Sequence, residues 1–339
     1  MTAGEADKLR QLIDNANSIA ICVHVSPDGD AIGSSLGWAN YLESLGKEPM
    51  VIVPDQFPDF LKWMPGTEKI VRYDKHKDKA DLMIKTADLI FCLDLNLPSR
   101  MEDMEDVFLA SKAKKVLIDH HLGPEIEAEV SVSHPEKSST SELVFRVVWQ
   151  LGGFEQLNRL FAAPIYCGMM TDTGGFTYNS SDPEIYFIIS ELLTKGIDKD
   201  KIYRNVFNTY SESRLRLIGY VLNEKMVVDP VRHASYYALT KEEMKRFHFM
   251  KGDAEGLVNM PLQIKGLKLS VSLREDTEKE NMVWVSLRSV DDFPCNQVAA
   301  EFFNGGGHLN ASGGRLYCSI QEAEEITRQA FKFFENSLK

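Results

Sequence analysis

The run "SIAICVHV" at residues 18–25 breaks off into "SPDGDAIGSS" and then into a helical pattern. An apolar segment dense in Ile and Val, bounded by polar residues, reads as a strand buried in a parallel sheet. The following "AIGSSLGWANYLESLG" spaces its apolar residues for a helix and ends at Gly46, a C-cap residue. Strand, tight turn and helix put the turn at the strand's carboxyl end, where open α/β sheets bind ligands. His24, Asp28 and Asp30 sit in that turn, with one glycine between the two carboxylates. An Asp-Gly turn that caps a helix accounts for Asp28 alone. It does not account for the Asp and His residues at the ends of later apolar runs.

The first half keeps alternating strand and helix. "EPMVIVP" (48–54), "DLIFCLDL" (88–95) and "AKKVLIDHH" (113–121) read as further strands. Helical patterns lie around 101–110, 138–151 and 155–170. This is the signature of an α/β fold with a parallel, doubly wound sheet. Asp94 ends one of these apolar runs, and Asp119, His120 and His121 end another. Asp172, in "MMTDTGGF", follows the apolar "APIYCGMM" and precedes a glycine turn. A single strand-end Asp is ordinary turn chemistry, and a lone His is more often a hydrogen-bonded structural residue. Four such sites in one lobe, all Asp and His, point to a metal centre. Carboxylate and imidazole without thiolate suit manganese or magnesium, with zinc or cobalt also fitting. Asp28, Asp30, Asp94 and Asp172 together carry four negative charges. Two divalent ions would neutralise them and clamp a phosphate's oxygens during hydrolysis.

At 339 residues the chain is long enough for two domains. The pattern predicts an α/β domain over 1–190, a helical linker over 191–226 and a smaller α/β domain over 227–339. In the last of these, "ASYYALT", "LKLSVSLRE" and "NMVWVSLRSV" alternate apolar and polar residues as half-exposed strands do. A glycine cluster, "NGGGHLNASGG" at 304–314, comes next, and an amphipathic helix closes the chain. Gly305, Gly306 and Gly307 would let backbone approach a ligand, and Arg288 would grip a phosphate bidentately. The net charge of -12 excludes a global field that attracts long nucleic acid or an anionic membrane. A small anionic substrate would therefore need a local cationic site. No secretory leader pattern opens the chain and no stretch approaches a membrane span. Five scattered cysteines without a CxxC pair suit reduced thiols and a cytoplasmic location.

In order, "HVSPDGDAIGS", "DLNLPSR", "DHH" and "TDTGGF" resemble the four N-terminal motifs of the DHH phosphoesterases. "VSLRS" with "GGGHLNASGG" resembles the DHH-associated C-terminal domain, so the likeness spans nearly the whole chain. The length and the GGGH motif are most similar to the bacterial nanoRNase and pAp-phosphatase branch. Family II pyrophosphatases share the first lobe but carry a different second domain. The resemblance implies two lobes and two manganese ions, with magnesium or cobalt as substitutes. It implies that His24, Asp28 and Asp94 hold one ion, and that Asp30, Asp94, His120 and Asp172 hold the other. His121 would face the scissile phosphate, with Asp119 behind the histidines to orient them. Arg100, Arg288, Ser289, Gly305, Gly306, Gly307 and His308 would contact substrate. Leu95 and Asn96 stand where small hydroxylated residues are frequent in the second motif, which weakens the case for Arg100.

The activity implied is hydrolysis of short oligoribonucleotides (nanoRNA) to mononucleotides, with pAp and linear dinucleotides as further substrates. Partners would be those substrates, with no membrane and no long nucleic acid, and a homodimer is compatible with the family. One alternative is a pyrophosphatase or exopolyphosphatase. Another, of a different class, is a regulatory nucleotide-binding protein without turnover, against which the intact ligand set argues.

Overall fold

Strand β1 (Ile19–Cys22) is buried at every residue, as its unbroken apolar run requires. It pairs within a sheet that includes β2 (Pro49–Val53), β3 (Val71–Arg72), β4 (Leu89–Leu93), β5 (Lys114–Asp119) and β6 (Val130–Ser133). The order is β3-β2-β1-β4-β5-β6, with every pairing parallel. The computed structural model describes residues 1–250 and 252–339, which divide into the units Met1–Thr209 and Tyr210–Lys339. This sheet belongs to the first unit.

Helices α1 (Ala3–Asn15), α2 (Gly29–Ser44), α3 (Lys77–Thr86), α4 (Glu105–Ala110), α5 (Thr140–Gln150) and α6 (Arg159–Asp172) flank it. Helices α7 (Pro183–Thr194) and α8 (Lys199–Phe207) complete the unit. One core gathers side chains of α1, α2, α5 and α6 against the sheet, and a second gathers those of α3 and α4. The sheet is thus covered on both faces, as a doubly wound fold requires.

The strand order reverses between β1 and β4, which makes their carboxyl ends the expected ligand crevice. Register fixes what meets there. Cys22 lies level with Cys92, so His24 and Asp94, each two residues further on, arrive side by side. Leu93 lies level with Ile118, which brings Asp94 beside the end of β5.

Several boundaries differ from the sequence expectation, each for a local reason. The strand expected over 88–95 stops at Leu93, because Asp94 turns into the left-handed region (φ 55°). The helix expected over 101–110 is split into a 3-10 segment, Pro98–Met104, and α4, with Glu102 at φ 46° between regular turns. The helix expected from 155 begins at Arg159, where the Asn158 side chain accepts from Leu160 N at 2.8 Å. Helix α2 does end at Gly46, which takes a positive φ of 78°. The helical stretch 191–226 is shared out: Leu192, Ile202 and Val206 enter the first unit's core. Leu217 and Val221 pack in the second unit.

Helices α2 and α6 approach through glycine. A Cβ on Gly33 would lie 2.5 Å from the Pro164 carbonyl oxygen and 3.0 Å from Gly168 Cα. A Cβ on Gly168 would collide with the Ser141 hydroxyl. The close packing carries Asp30, on α2, toward Asp172, the last residue of α6.

The second unit begins with α9 (Glu212–Tyr220), β7 (Val227–Asp229), β8 (Ala234–Leu239) and α10 (Lys241–Arg246). It continues with β9 (Leu269–Glu275), β10 (Val283–Ser289), α11 (Cys295–Phe302), β11 (Gly306–Gly307), β12 (Ala311–Leu316), α12 (Ile320–Phe333) and α13 (Glu335–Leu338). Its sheet runs β11-β12-β10-β9-β8-β7, with β8 and β9 parallel and the other pairs antiparallel. One face is apolar, with Val271, Leu273, Val285 and Leu287 packed beneath α11 and α12.

Gly33→Ala tests the contact between α2 and α6. In an open helix interior, Gly→Ala stabilises by roughly 0.8–1.0 kcal/mol. Here the new methyl meets backbone, so the substitution should instead destabilise by about 1–3 kcal/mol. Chemical denaturation of the two proteins reads the sign directly, and a more stable variant would show that the helices are not tightly apposed.

Candidate metal centre

Three strand ends and two helix ends deliver the side chains. His24 and Asp94 follow β1 and β4, and His120 and His121 follow β5. Asp28 and Asp30 stand at the start of α2, while Asp172 closes α6. His24 Nε2 lies 3.3 Å from Asp94 Oδ2 and 4.0 Å from Asp28 Oδ1. His120 Nε2 lies 3.4 Å from Asp172 Oδ2, 3.6 Å from Asp94 Oδ1 and 3.9 Å from Asp30 Oδ2. Ligand atoms of His24, Asp28 and Asp94 fall within 4.8 Å of one another, as do those of Asp30, His120 and Asp172. The two groups meet at Asp94, which faces a histidine of each.

The imidazoles are oriented by groups that can only accept. His24 Nδ1 donates to the Val25 carbonyl at 2.7 Å, and His120 Nδ1 to the Lys137 carbonyl at 3.2 Å. In the neutral rings the lone pair therefore sits on Nε2, the nitrogen turned toward the carboxylates. Asp119, wholly buried, accepts from His121 Nδ1 at 2.8 Å and from His121 N at 3.1 Å. It thus orients one histidine and not both, because the Lys137 carbonyl takes its place at His120.

The turn chemistry of Asp28 is present as well. Its Oδ1 caps α2 by accepting from Asp30 N and Ala31 N at 3.0 and 3.1 Å. Capping one end of a carboxylate leaves Oδ2 available, so the two roles coexist. Asp30 is tied across 110 residues of sequence to the start of α5. Its two oxygens accept from Thr140 N at 2.7 Å and Ser141 N at 2.8 Å. Thr140 Oγ1 donates to Asp94 Oδ1 at 3.1 Å.

This segment, "KSSTSE" at 137–142, shows itself in the sequence only as the start of a helix. Its N-cap pattern is visible, Ser139 three residues before Glu142, but the target of the cap is not. Arg100 is brought near. Its carbonyl accepts from Val25 N at 2.7 Å, and its guanidinium donates to Asn96 Oδ1 at 3.2 Å.

The electrostatics of the centre would suit a bound cation. Burial, and then the charges of Asp94 and Asp172, push the Asp30 carboxyl well above its ordinary range. Burial also disfavours charge on Asp94. The His24 hydrogen bond and the His121, His24 and His120 charges outweigh it and hold Asp94 well below the carboxylate range. On His120, burial opposes the imidazolium but Asp172, Asp94 and Asp30 outweigh it, raising the pKa to about 9. Asp172 sits at the negative end of the α6 dipole, an unfavourable place for an anion without a counter-charge. Four carboxylates and two imidazoles that turn Nε2 toward them, with no thiolate, fit hard or borderline divalent ions such as manganese or magnesium.

In the second unit, Arg288 and Gly306 lie on one face of the sheet and Ser289 on the other. Ser289 does not serve as expected. Strand alternation turns it inward, where its Oγ donates to the Phe293 carbonyl at 2.7 Å and accepts from Asn310 at 2.9 Å. Gly305 and Gly307 are required by backbone packing: a Cβ on either would strike Gly313 or Ala311. Gly306 meets nothing within 4 Å. His308 N bonds to the Ala311 carbonyl at 2.8 Å, so His308 sits at the hairpin's turn.

Residues 18–169 match the model of the DHH family N-terminal domain, and residues 237–336 that of the DHHA1 domain. The chain is 29% identical to the bifunctional oligoribonuclease and PAP phosphatase NrnA of Thermus thermophilus, covering 92% of this chain and 91% of that one. It is 54% identical to an exopolyphosphatase-related protein of Bacteroides fragilis whose crystal structure superposes with a TM-score of 0.95, covering 99% and 98% of the two chains. The manganese complex of RecJ from Thermus thermophilus shares the fold at a TM-score of 0.57 and 12% identity, covering 97% of this chain and 54% of RecJ.

The raised pKa of His120 has a consequence for metal binding. Below about pH 9 the metal-free protein carries a proton there, which a bound ion must displace. Manganese binding should therefore release a proton at pH 7, and affinity should climb with pH until about 9. Calorimetry in buffers of different ionisation enthalpy measures the release. A buffer-independent heat at pH 7 would show that His120 takes no part.

Proposed function

Because the chain belongs to the DHH family of phosphoesterases, we propose that it is a manganese-dependent hydrolase of short oligoribonucleotides. In this reading it releases mononucleotides, removes the phosphate of pAp and accepts linear dinucleotides. The observation that carries the reading is the paired carboxylate and imidazole set at the reversal of the first sheet, with Asp94 common to both halves. The substrate class is supported by the Thermus relative, whose name gives oligoribonuclease and PAP phosphatase and whose likeness runs the length of both chains.

His24, Asp28 and Asp94 would hold one divalent ion, and Asp30, Asp94, His120 and Asp172 the other. Such ions supply charge neutralisation for phosphate oxygens and make water a nucleophile at neutral pH. The chain's own groups do the rest. Asp119 accepts from His121 Nδ1, so a His121 protonated on both nitrogens would donate from Nε2 to a phosphate oxygen or pass that proton to the leaving oxygen. Arg100, steadied by Asn96, adds positive charge beside His24. In the second unit, Arg288, His308 and Gly306 are the proposed substrate contacts. Ser289 is left out, since its hydroxyl is committed within the unit.

A cytoplasmic location is part of the proposal and rests on five cysteines that form no disulfide. Among the described residues no helix is long and apolar enough to cross a membrane.

The Bacteroides relative favours a second reading, hydrolysis of pyrophosphate or polyphosphate. Both readings share the centre and differ in substrate. A panel of diadenylate, pAp, pyrophosphate and polyphosphate, each with manganese, separates them. Asp94→Ala should abolish turnover of whichever substrate is used. Manganese should raise the Tm of the wild type, since binding to the folded state alone stabilises it, and this variant should lose that rise. Retained activity with an undiminished thermal shift would overturn the shared role of Asp94.

Substrate length supplies a further test. A net charge of -12 gives a long strand no electrostatic track. On labelled RNA from dinucleotide to 24-mer at fixed salt, kcat/KM should be highest at about two to five nucleotides. A 24-mer degraded as fast as a dinucleotide would sink the nanoRNase reading.

A further inference from the structure

His24 and His120 each donate from Nδ1 to a main-chain carbonyl, and each of those peptide groups is engaged at its other end as well. The Val25 carbonyl, which accepts from His24 at 2.7 Å, shares its peptide plane with the N–H of Ser26. That N–H donates to Asp55 Oδ1 at 2.6 Å, across 29 residues of sequence. The Lys137 carbonyl, which accepts from His120 at 3.2 Å, shares its plane with the N–H of Ser138. That N–H donates to Glu142 Oε2 at 2.9 Å. The two groups of a trans peptide point opposite ways, so each peptide runs from an imidazole on one side to a carboxylate on the other. His121 has its carboxylate directly, at Asp119.

Local turn chemistry does not account for either carboxylate. Glu142 is the third residue of α5, whose cap is Ser139. In a capping box it would take the amide of the cap residue itself. It reaches one residue further back instead, to the amide of Ser138 and to its hydroxyl at 2.6 Å. Glu142 is fully buried, and Arg146 Nε donates to its other oxygen at 2.7 Å, which gives the buried anion a counter-charge. Asp55 follows β2, and parallel register brings it beside the turn after β1, since Ile52 lies level with Cys22. Ser26 presents its amide there from the left-handed region (φ 53°), a conformation unfavourable for a residue with a side chain. One such chain alone is ordinary; the same chain at both histidines, built from unrelated segments, is a pattern.

An anion on the N–H of an amide polarises the group and makes its oxygen the stronger acceptor. A stronger acceptor at Nδ1–H fixes the ring and makes Nε2 a better electron donor to a metal ion. A carboxylate bonded directly to each imidazole would do the same, but it would add charge to a centre already crowded with four carboxylates. The intervening peptide keeps that charge one group further away. We propose that Asp55 and Glu142 are positioning residues of the metal centre, each holding one histidine through a shared peptide group. The inference rests on the metal-centre reading above and adds to it two residues that touch neither ion nor substrate.

The test titrates manganese into the full-length, metal-free protein by calorimetry at pH 7, with no substrate present. His24→Ala and His120→Ala identify the binding step that belongs to each histidine. Glu142→Gln keeps the side chain's size and removes its charge. It should weaken the His120 step by about tenfold, the lower end of what losing a ligand's hydrogen-bond partner costs. The His24 step should change by less than about threefold, as for an independent site. Asp55→Asn should do the reverse, and Asp55→Glu should recover part of the loss. A merely structural role would weaken both steps together or neither, and either result overturns the assignment. Asp55 is only half-buried, so Asp55→Asn decides the matter even where Glu142→Gln does not fold. Because no substrate enters, failure of the oligonucleotide reading leaves these outcomes as they stand. Wild type that takes up no manganese would overturn the proposal together with the metal centre.

Discussion

The first unit is organised around a carboxylate seated on a helix end. Asp30, almost wholly buried, receives the amides of Thr140 and Ser141, two of the donors that a helix leaves unpaired at its start. An anion there gains the positive end of the α5 dipole, which offsets part of the cost of burying it. The same few residues hold other ligands. The Thr140 hydroxyl reaches Asp94, and the Lys137 carbonyl orients His120. Beneath them, Glu142 is buried and takes the amide and hydroxyl of Ser138, which stiffens the turn into the helix. Packing serves the same end. Gly168 of α6 lacks a side chain where one would strike the Ser141 hydroxyl and crowd Asp30. Removing the seat would therefore disturb the helix contact and the centre together.

This dependence explains which parts are legible in the sequence. His24, Asp94 and the Asp119–His121 run stand at the ends of apolar strands, where residue type and position are both visible. Parallel register then has only to bring neighbouring ends level. The role of residues 137–141 is hidden because backbone amides and carbonyls carry no residue signature. "SSTSE" announces a capped helix, yet nothing local tells that its free amides serve an acid 110 residues earlier. The helical stretch after 183 is ambiguous for a related reason. Periodicity identifies an apolar stripe but not the core that receives it, and α7 with α8 went to the first while α9 went to the second.

In the second unit the two-residue period is more informative than the motif. Arg288 and Ser289 are neighbours, so a strand must point them to opposite faces, and only Arg288 lies on the polar one. A motif names both, whereas alternation separates them. The glycines show the converse ambiguity. Close approach of backbone to a ligand and close approach of backbone to backbone both exclude a Cβ. The hairpin packing accounts for Gly305 and Gly307, and Gly306 alone is left without a structural reason for its lack of a side chain.

Several unfavourable features are concentrated at one end of the first sheet. Asp94, a non-glycine residue, is held at φ 55°, a conformation that costs about 1 kcal/mol even for a residue type that tolerates it. Asp172 places its charge at the wrong end of a helix, and Asp30 lies buried among like charges. Elsewhere Glu102 and Phe176 also take positive φ, but the regular elements follow the ordinary rules. Its strands are apolar, and α1, α2, α5, α6, α7 and α8 have capped starts. Independent costs would scatter if each arose from chance. Here the left-handed turn aims the Asp94 carboxylate between two imidazoles, the helix end brings Asp172 to the same point, and the α5 amides hold Asp30 there. Each cost brings an anion toward the others, which is what a fold must do when the missing positive charge comes from bound cations.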